Sequence, residues 1–285
     1  MAHVAVVTDS VACLPKALVE KYGVNVVPID MVFEGQVRRN GFSDDHAEFY
    51  RLLDSSKTLP TTASPSPGSY LQAYTEASSK AKEILCVTIS SKVSATHDAA
   101  EDARELAKEK LPGISIEVVD SQAAAMAEGF VALAAARAAA AGGDLPEVAA
   151  VARKVAANVY LLGVVDTLRY LVKGGRVPIA AAWATALLQI KPILQIHNGE
   201  VTLAARVRTK SRAHKKLLEL MHHTVDPRPV YVSVVHANAL HEAELLKERV
   251  ASQFKCQELY ITEFPLVMAA HTGPGLVGLS YYCEE

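Results

Sequence analysis

The sequence predicts an α/β protein. A parallel sheet with helices on both faces comes first, and a second α/β unit with antiparallel pairing follows. Three observations predict it. Short, largely apolar strand-length runs, VAVV (4–7), ILCVTI (84–89) and ISIEVV (114–119), alternate with helical stretches, the pattern of a parallel sheet. Each run ends in a polar turn, Thr8-Asp9-Ser10, Ser90-Ser91 or Asp120-Ser121, where α/β sheets carry their sites. Half of the 285 residues are apolar, yet aromatics are only 6%, so alanine-faced helices can pack closely on a sheet.

In order, the strand at 4–7 leads to a helix that Pro15 can open and Gly23 can close. Residues 24–29 and 31–33 read as two strands and 35–40 as a hairpin or loop. Ser43-Asp44-Asp45 caps a helix to about Leu53. The segment 59–67 is a proline-rich loop, and Ser66-Pro67 forms an N-cap and first helical position for a helix to Ser79. A strand at 84–89, a hydroxyl-rich turn, a helix to about Lys110 and a strand at 114–119 follow. Two alanine-rich helices flank Gly142-Gly143-Asp144.

The pattern changes near Ala157, which divides the chain into expected domains 1–157 and 158–285. In the second, a strand at 159–164 precedes a short helix or turn from Leu168 that ends at Gly174-Gly175-Arg176, and a helix is expected over 179–188. Strands at 191–197 and 200–207 flank Asn198-Gly199, a strong hairpin signal. A helix at 210–223, a strand at 230–236, a helix at 239–253, a strand at 257–261 and a last strand at 278–282 complete the chain.

Net charge is −2, without the basic excess that a nucleic-acid partner requires. Cys13, Cys86, Cys256 and Cys283 are scattered, which fits a reducing cytoplasm and neither a disulfide framework nor a zinc site. The opening residues read as a strand and not as a signal peptide, and no apolar run reaches the ~20 residues of a membrane span. A cytoplasmic protein is expected.

Three segments concentrate chemistry. The loop 61–66 crowds hydroxyls beside prolines, either as directed polar groups or as a solvated loop with a helix cap. The turn 90–96 supplies four hydroxyls where a helix begins, suited to an anion or to ordinary capping. His271-Thr272-Gly273-Pro274-Gly275 puts an imidazole and a hydroxyl beside a turn open to close backbone approach; it also reads as a tight turn before the last strand. Arg176, Arg206 and Arg208 could recognise phosphate or carboxylate, or simply solubilise the surface. Phosphate-loop, dinucleotide, nucleophile-elbow and zinc-helix motifs are absent, and neither His222-His223 nor the His236/His241 pair has a metal-site arrangement.

In order, VTDS (7–10), PTTASPS (60–66), ISSKVSAT (89–96), VVDS (118–121), LVKGGRV (171–177), IKPIL (190–194) and HTGPGLVGL (271–279) resemble the signatures of the DegV family over nearly the whole chain. The resemblance implies a two-domain DegV-type fold with one long-chain fatty acid, such as palmitate, stearate or oleate, buried between the domains. It implies no catalysis and no cofactor. The carboxylate-binding segments carry over to Thr62, Ser94, Ala95, His271 and Thr272. It further implies that the protein presents the acid to a separate ATP-dependent fatty-acid kinase, feeding phospholipid synthesis, with Arg176 and Arg208 facing the kinase. Ala95 replaces the family's usual glycine, and Ala63-Ser64 replace Ser-Gln. Two rivals stand beside this reading. One is a serine hydrolase built on Ser94, His271 and Asp9 or Asp120. The other is a phosphoryl-transfer enzyme holding nucleotide on the Gly-Pro-Gly turn.

Overall fold

A computed structural model of the chain describes residues 3–33, 36–40, 46–56, 58–175, 177, 180–182, 190–225 and 227–284. The expected Ser43-Asp44-Asp45 cap, Arg176 and most of the helix expected over 179–188 lie outside the described residues; 180–182 are helical.

The N-terminal part contains β1 (Val4–Asp9), α1 (Lys16–Tyr22), β2 (Asn25–Val27), β3 (Ile29–Phe33), β4 (Gln36–Asn40), α2 (His46–Ser55), β5 (Thr61–Ala63), α3 (Pro67–Ser78), β6 (Glu83–Thr88), α4 (Thr96–Lys110) and β7 (Ser115–Asp120). Two helices, α5 (Met126–Ala140) and α6 (Leu145–Ala156), follow. The C-terminal part contains β8 (Tyr160–Val164), α7 (Arg169–Gly174), β9 (Lys191–His197), β10 (Glu200–Val207), α8 (Lys210–Val225), β11 (Val230–His236), α9 (Leu240–Gln253), β12 (Cys256–Glu263), α10 (Leu266–Thr272) and β13 (Val277–Cys283).

Strands β2-β1-β6-β7 form the expected parallel sheet. A second sheet, ordered β10-β9-β8-β13-β11-β12, is antiparallel except for the β11–β12 pair. A third, β4-β3-β5, is small and antiparallel.

Local chemistry accounts for most boundaries. The Ser66 side chain accepts from the Ser69 N–H with Pro67 in the first turn, and Asp144 and Glu147 form a reciprocal capping box at α6. Asn198 and Gly199 both adopt positive φ, 53° and 78°, as a tight hairpin turn with right-handed twist demands.

Three elements differ from expectation. The strand expected over 24–29 is divided at Pro28, which cannot donate to a ladder, so β2 and β3 join different sheets. Thr61–Ala63, expected as loop, pairs with β3 as a strand. The turn expected to hold His271 is instead the end of a helix, α10, which Pro265 precedes.

Helix α5 organises the interior. It is buried over nearly its whole circumference and packs against β1 and β6 of the parallel sheet and β8 and β13 of the mixed sheet. Alanine makes this possible because small side chains let a helix approach both sheets. At Gly129 even a methyl is too much, since a Cβ there would lie 2.3 Å from the Ala12 carbonyl oxygen. One apolar cluster therefore runs from Val4 and Leu85 through Phe130 to Leu161 and Leu276. Among the described residues no helix is long and apolar enough to cross a membrane.

Candidate functional site

A cavity of about 570 Å³ lies where the small sheet, the carboxyl ends of β1 and β6, and the C-terminal sheet converge. Its volume is in the range of small-molecule sites. The walls are aliphatic: Val11 and Ile89 come from the parallel-sheet side, Leu161, Leu194 and Ile196 from the mixed sheet, and Val267 from α10. Among the described lining residues, side-chain nitrogen or oxygen comes only from Thr62, Ser64, Ser94, His271 and Thr272.

These polar groups form separate hydrogen-bonded sets along one pocket. Thr62 Oγ1 lies 2.8 Å from His271 Nε2, across 209 residues of sequence. Ser64 Oγ lies 3.3 Å from Ser94 Oγ, and Ser94 Oγ lies 2.7 Å from Thr96 Oγ1. Thr272 turns its hydroxyl back on the Met268 carbonyl at 3.2 Å. Ser64 and Ala95 are exposed while Thr62, Ser94 and His271 are half-buried, so the polar cluster stands at the mouth and the aliphatic walls lie behind it.

All five residues expected at the head of a ligand, Thr62, Ser94, Ala95, His271 and Thr272, thus line a single pocket. The pairing of β5 with β3 places Thr62 opposite Met31 in register, and Thr62 is half-buried while its neighbours Thr61 and Ala63 are exposed. Ala95 has φ −77° and ψ 12°, so the position usually held by glycine is not left-handed here and alanine fits it without strain. No lysine or arginine is among the described lining residues, so a carboxylate at the mouth would meet neutral hydroxyls and an imidazole. Arg208 is exposed just beyond β10 and does not line the pocket.

The aspartates of the hydrolase reading are committed elsewhere. Asp9 accepts from the backbone N–H groups of Val11 at 2.9 Å and Ile89 at 3.1 Å. Asp120 accepts from the Ser91 hydroxyl at 2.6 Å and the Gln122 N–H at 2.8 Å. Both hold strand-end turns in shape, which is why Asp-Ser and Ser-Ser pairs recur there.

Sequence reasoning missed three contributors. The β9–β10 hairpin tip docks on the serine turn: the Ser90 hydroxyl donates to the Gly199 carbonyl at 3.1 Å, and Lys92 Nζ reaches the Asn198 carbonyl at 3.1 Å and Glu200 at 2.9 Å. Asn198-Gly199 marked the turn, but nothing local revealed its dock. Ser64, read as a departure from pattern, bonds Ser94. Glu128 is a fully buried carboxyl on α5, and the Thr8 hydroxyl donates to it at 3.3 Å. A single acid in an alanine-rich helix was the available signal. Burial first, then the neighbouring Asp9, pushes the Glu128 carboxyl well above its ordinary range. Burial also raises Asp9, to about 6, against the pull of its backbone hydrogen bonds.

The architecture is that of a three-sheet α/β protein with an apolar pocket that carries hydroxyls and an imidazole at its mouth. A family described as "Uncharacterised protein, DegV family" matches residues 3–284, and the chain belongs to the DegV family. A DegV domain-containing protein of Clostridium perfringens is 34% identical over 99% of both chains. The solved structure of a DegV family protein from Thermus thermophilus, described for its fatty acid binding, superposes with a TM-score of 0.92 at 30% identity over 99% of this chain and 100% of that one. DegV of Bacillus subtilis, described as a fatty acid binding protein, superposes at 0.88 with 28% identity over the whole of both chains.

Proposed function

We propose that this chain is a non-catalytic, cytoplasmic carrier that binds one long-chain fatty acid in the pocket and presents its carboxylate to a separate ATP-dependent kinase. In this reading residues 1–157 and 158–285 are two domains that supply opposite walls. The observation that carries it is the segregation of the cavity: aliphatic walls behind a cluster of Thr62, Ser94 and His271. Fatty acid binding by the Thermus thermophilus and Bacillus subtilis relatives supports it.

The chemistry fits. Burying each CH₂ contributes about 0.8 kcal/mol, so a palmitoyl-length chain gains on the order of 10 kcal/mol before ordering costs. A carboxylate drawn inward needs donors, or it protonates. Thr62, Ser94 and His271 can each donate one hydrogen bond, with Ala95 and Thr272 shaping the head. The task is positioning: the kinase supplies ATP and magnesium, and this protein holds one carboxylate oxygen in line for transfer. Arg176 and Arg208 are proposed as kinase-facing residues, and the acyl phosphate as a feed for phospholipid synthesis.

Mass spectrometry of the purified protein, native and then after denaturation and lipid extraction, tests the core of this. A one-to-one mass excess that resolves into palmitate, stearate or oleate is expected. An empty protein that also refuses added fatty acid would overturn it. For the kinase step, Arg208→Ala is expected to keep its lipid and lose acyl-phosphate formation. Loss of the lipid instead would assign the arginine to the pocket.

A further inference from the structure

We infer that Gly174, which does not line the pocket, is a positioning residue for His271 and acts through its lack of a side chain; the inference rests on the fatty-acid reading above. Gly174 ends α7, and a Cβ built there would lie 2.5 Å from His271 Nδ1, 3.4 Å from Cε1 and 3.5 Å from Cγ. The imidazole therefore lies flush against the α7 backbone. Nδ1 is shut off from solvent on that side, while Nε2 reaches Thr62 Oγ1 at 2.8 Å in the pocket mouth. The ring cannot retreat from the mouth without leaving this seat, and it cannot take the seat if residue 174 has a side chain.

A reciprocal contact locks the two elements. Gly273, just past α10, has φ +75°, and a Cβ there would fall 2.2 Å from the ring of Tyr170 on α7. The Tyr170 hydroxyl in turn donates to Asp54 of α2 at 3.3 Å. So each element offers a glycine to an aromatic ring of the other: Gly174 to His271, Gly273 to Tyr170. This fixes α10 against α7 in one register. The separate signatures around Gly174 and His271 thus build one device that aims Nε2.

Gly174 and Gly175 can be told apart. Gly174 has no left-handed φ, so alanine is compatible with its backbone and would act only through the collision with His271. Gly175 has φ +69° and nothing within 4 Å of a built Cβ, so alanine there strains the backbone and touches no ring.

The test uses the delipidated full chain with two probes of equal chain length, palmitic acid and 1-hexadecanol, which lacks the carboxylate. Loss of one hydrogen bond to a charged group predicts that Gly174→Ala weakens palmitic acid about ten- to a hundredfold. Hexadecanol affinity should be unchanged, and Gly174→Ala should add nothing in a His271→Ala background. Gly175→Ala should lower the thermal midpoint without separating the probes. In the ligand-free protein, NMR should find the His271 ring resonances displaced in Gly174→Ala alone. Unchanged palmitic acid binding, equal weakening of both probes, or undisturbed His271 resonances would overturn the positioning role. A wild-type chain that binds neither probe, with His271 still displaced by Gly174→Ala, would instead sink the fatty-acid reading and leave the mechanical contact standing.

Discussion

Replacing Glu128 by glutamine should make this protein progressively more stable than wild type as pH rises. Glu128 is fully buried on α5, in contact with Thr8 and Asp9, and burial first, then Asp9, raises its carboxyl well above the ordinary carboxylate range. In the unfolded chain the same carboxyl releases its proton near its reference value of 4.5. Between those two limits the folded state binds one more proton than the unfolded state. Stability then falls as pH rises through that window, by up to about 1.4 kcal/mol per pH unit. Glutamine has no proton to lose and its amide can still donate to Asp9. Asp9, itself raised to about 6, contributes a fall of the same sign in both proteins. His214 and His236, lowered mainly by burial, contribute the opposite slope in both. The difference between the two proteins is therefore the quantity to read, from urea unfolding at half-unit pH steps. Parallel profiles would refute the reasoning, and so would a glutamine variant that loses ground as pH rises. The consequence reaches the pocket, because Asp9 holds the N–H groups of Val11 and Ile89, two of its wall residues.

Thr62→Val keeps the shape of the mouth and removes the hydroxyl bonded to His271, so palmitic acid should bind about tenfold more weakly in calorimetry while hexadecanol binds as before. Val201→Trp, from a half-buried position on β10, should fill the pocket and shorten the preferred acyl chain found on lipid extraction. Asp144→Ala removes the capping box of α6 and should cost about 1 kcal/mol, read as a drop of a few degrees in the thermal midpoint, with fatty-acid affinity untouched. A fluorophosphonate probe should leave Ser94 unlabelled, and its covalent capture would restore the hydrolase reading.

The sequence by itself determined most of the secondary elements, the parallel-then-antiparallel order and most of the polar residues that line the pocket. These are legible because they rest on short-range causes: apolar runs of strand length, caps such as Ser66 and Asp144, and the Asn198-Gly199 turn. Recurring motifs pointed to Thr62, Ser94 and His271, although they lie far apart in the chain. Only the tertiary structure decided what those residues meet. Whether 61–63 was loop or strand depended on β3 as a partner, and the fate of the hairpin tip depended on the serine turn. Glu128 could be noticed as one acid among alanines, but its proton is governed first by burial between two sheets and then by Asp9, on a strand remote in sequence. Likewise, nothing in the local context of Gly174 reveals that its missing side chain is the space His271 occupies. Hydrogen-bond partners, burial and steric room belong to pairs of residues brought together by packing, and one-dimensional patterns record only the nearer half of each pair.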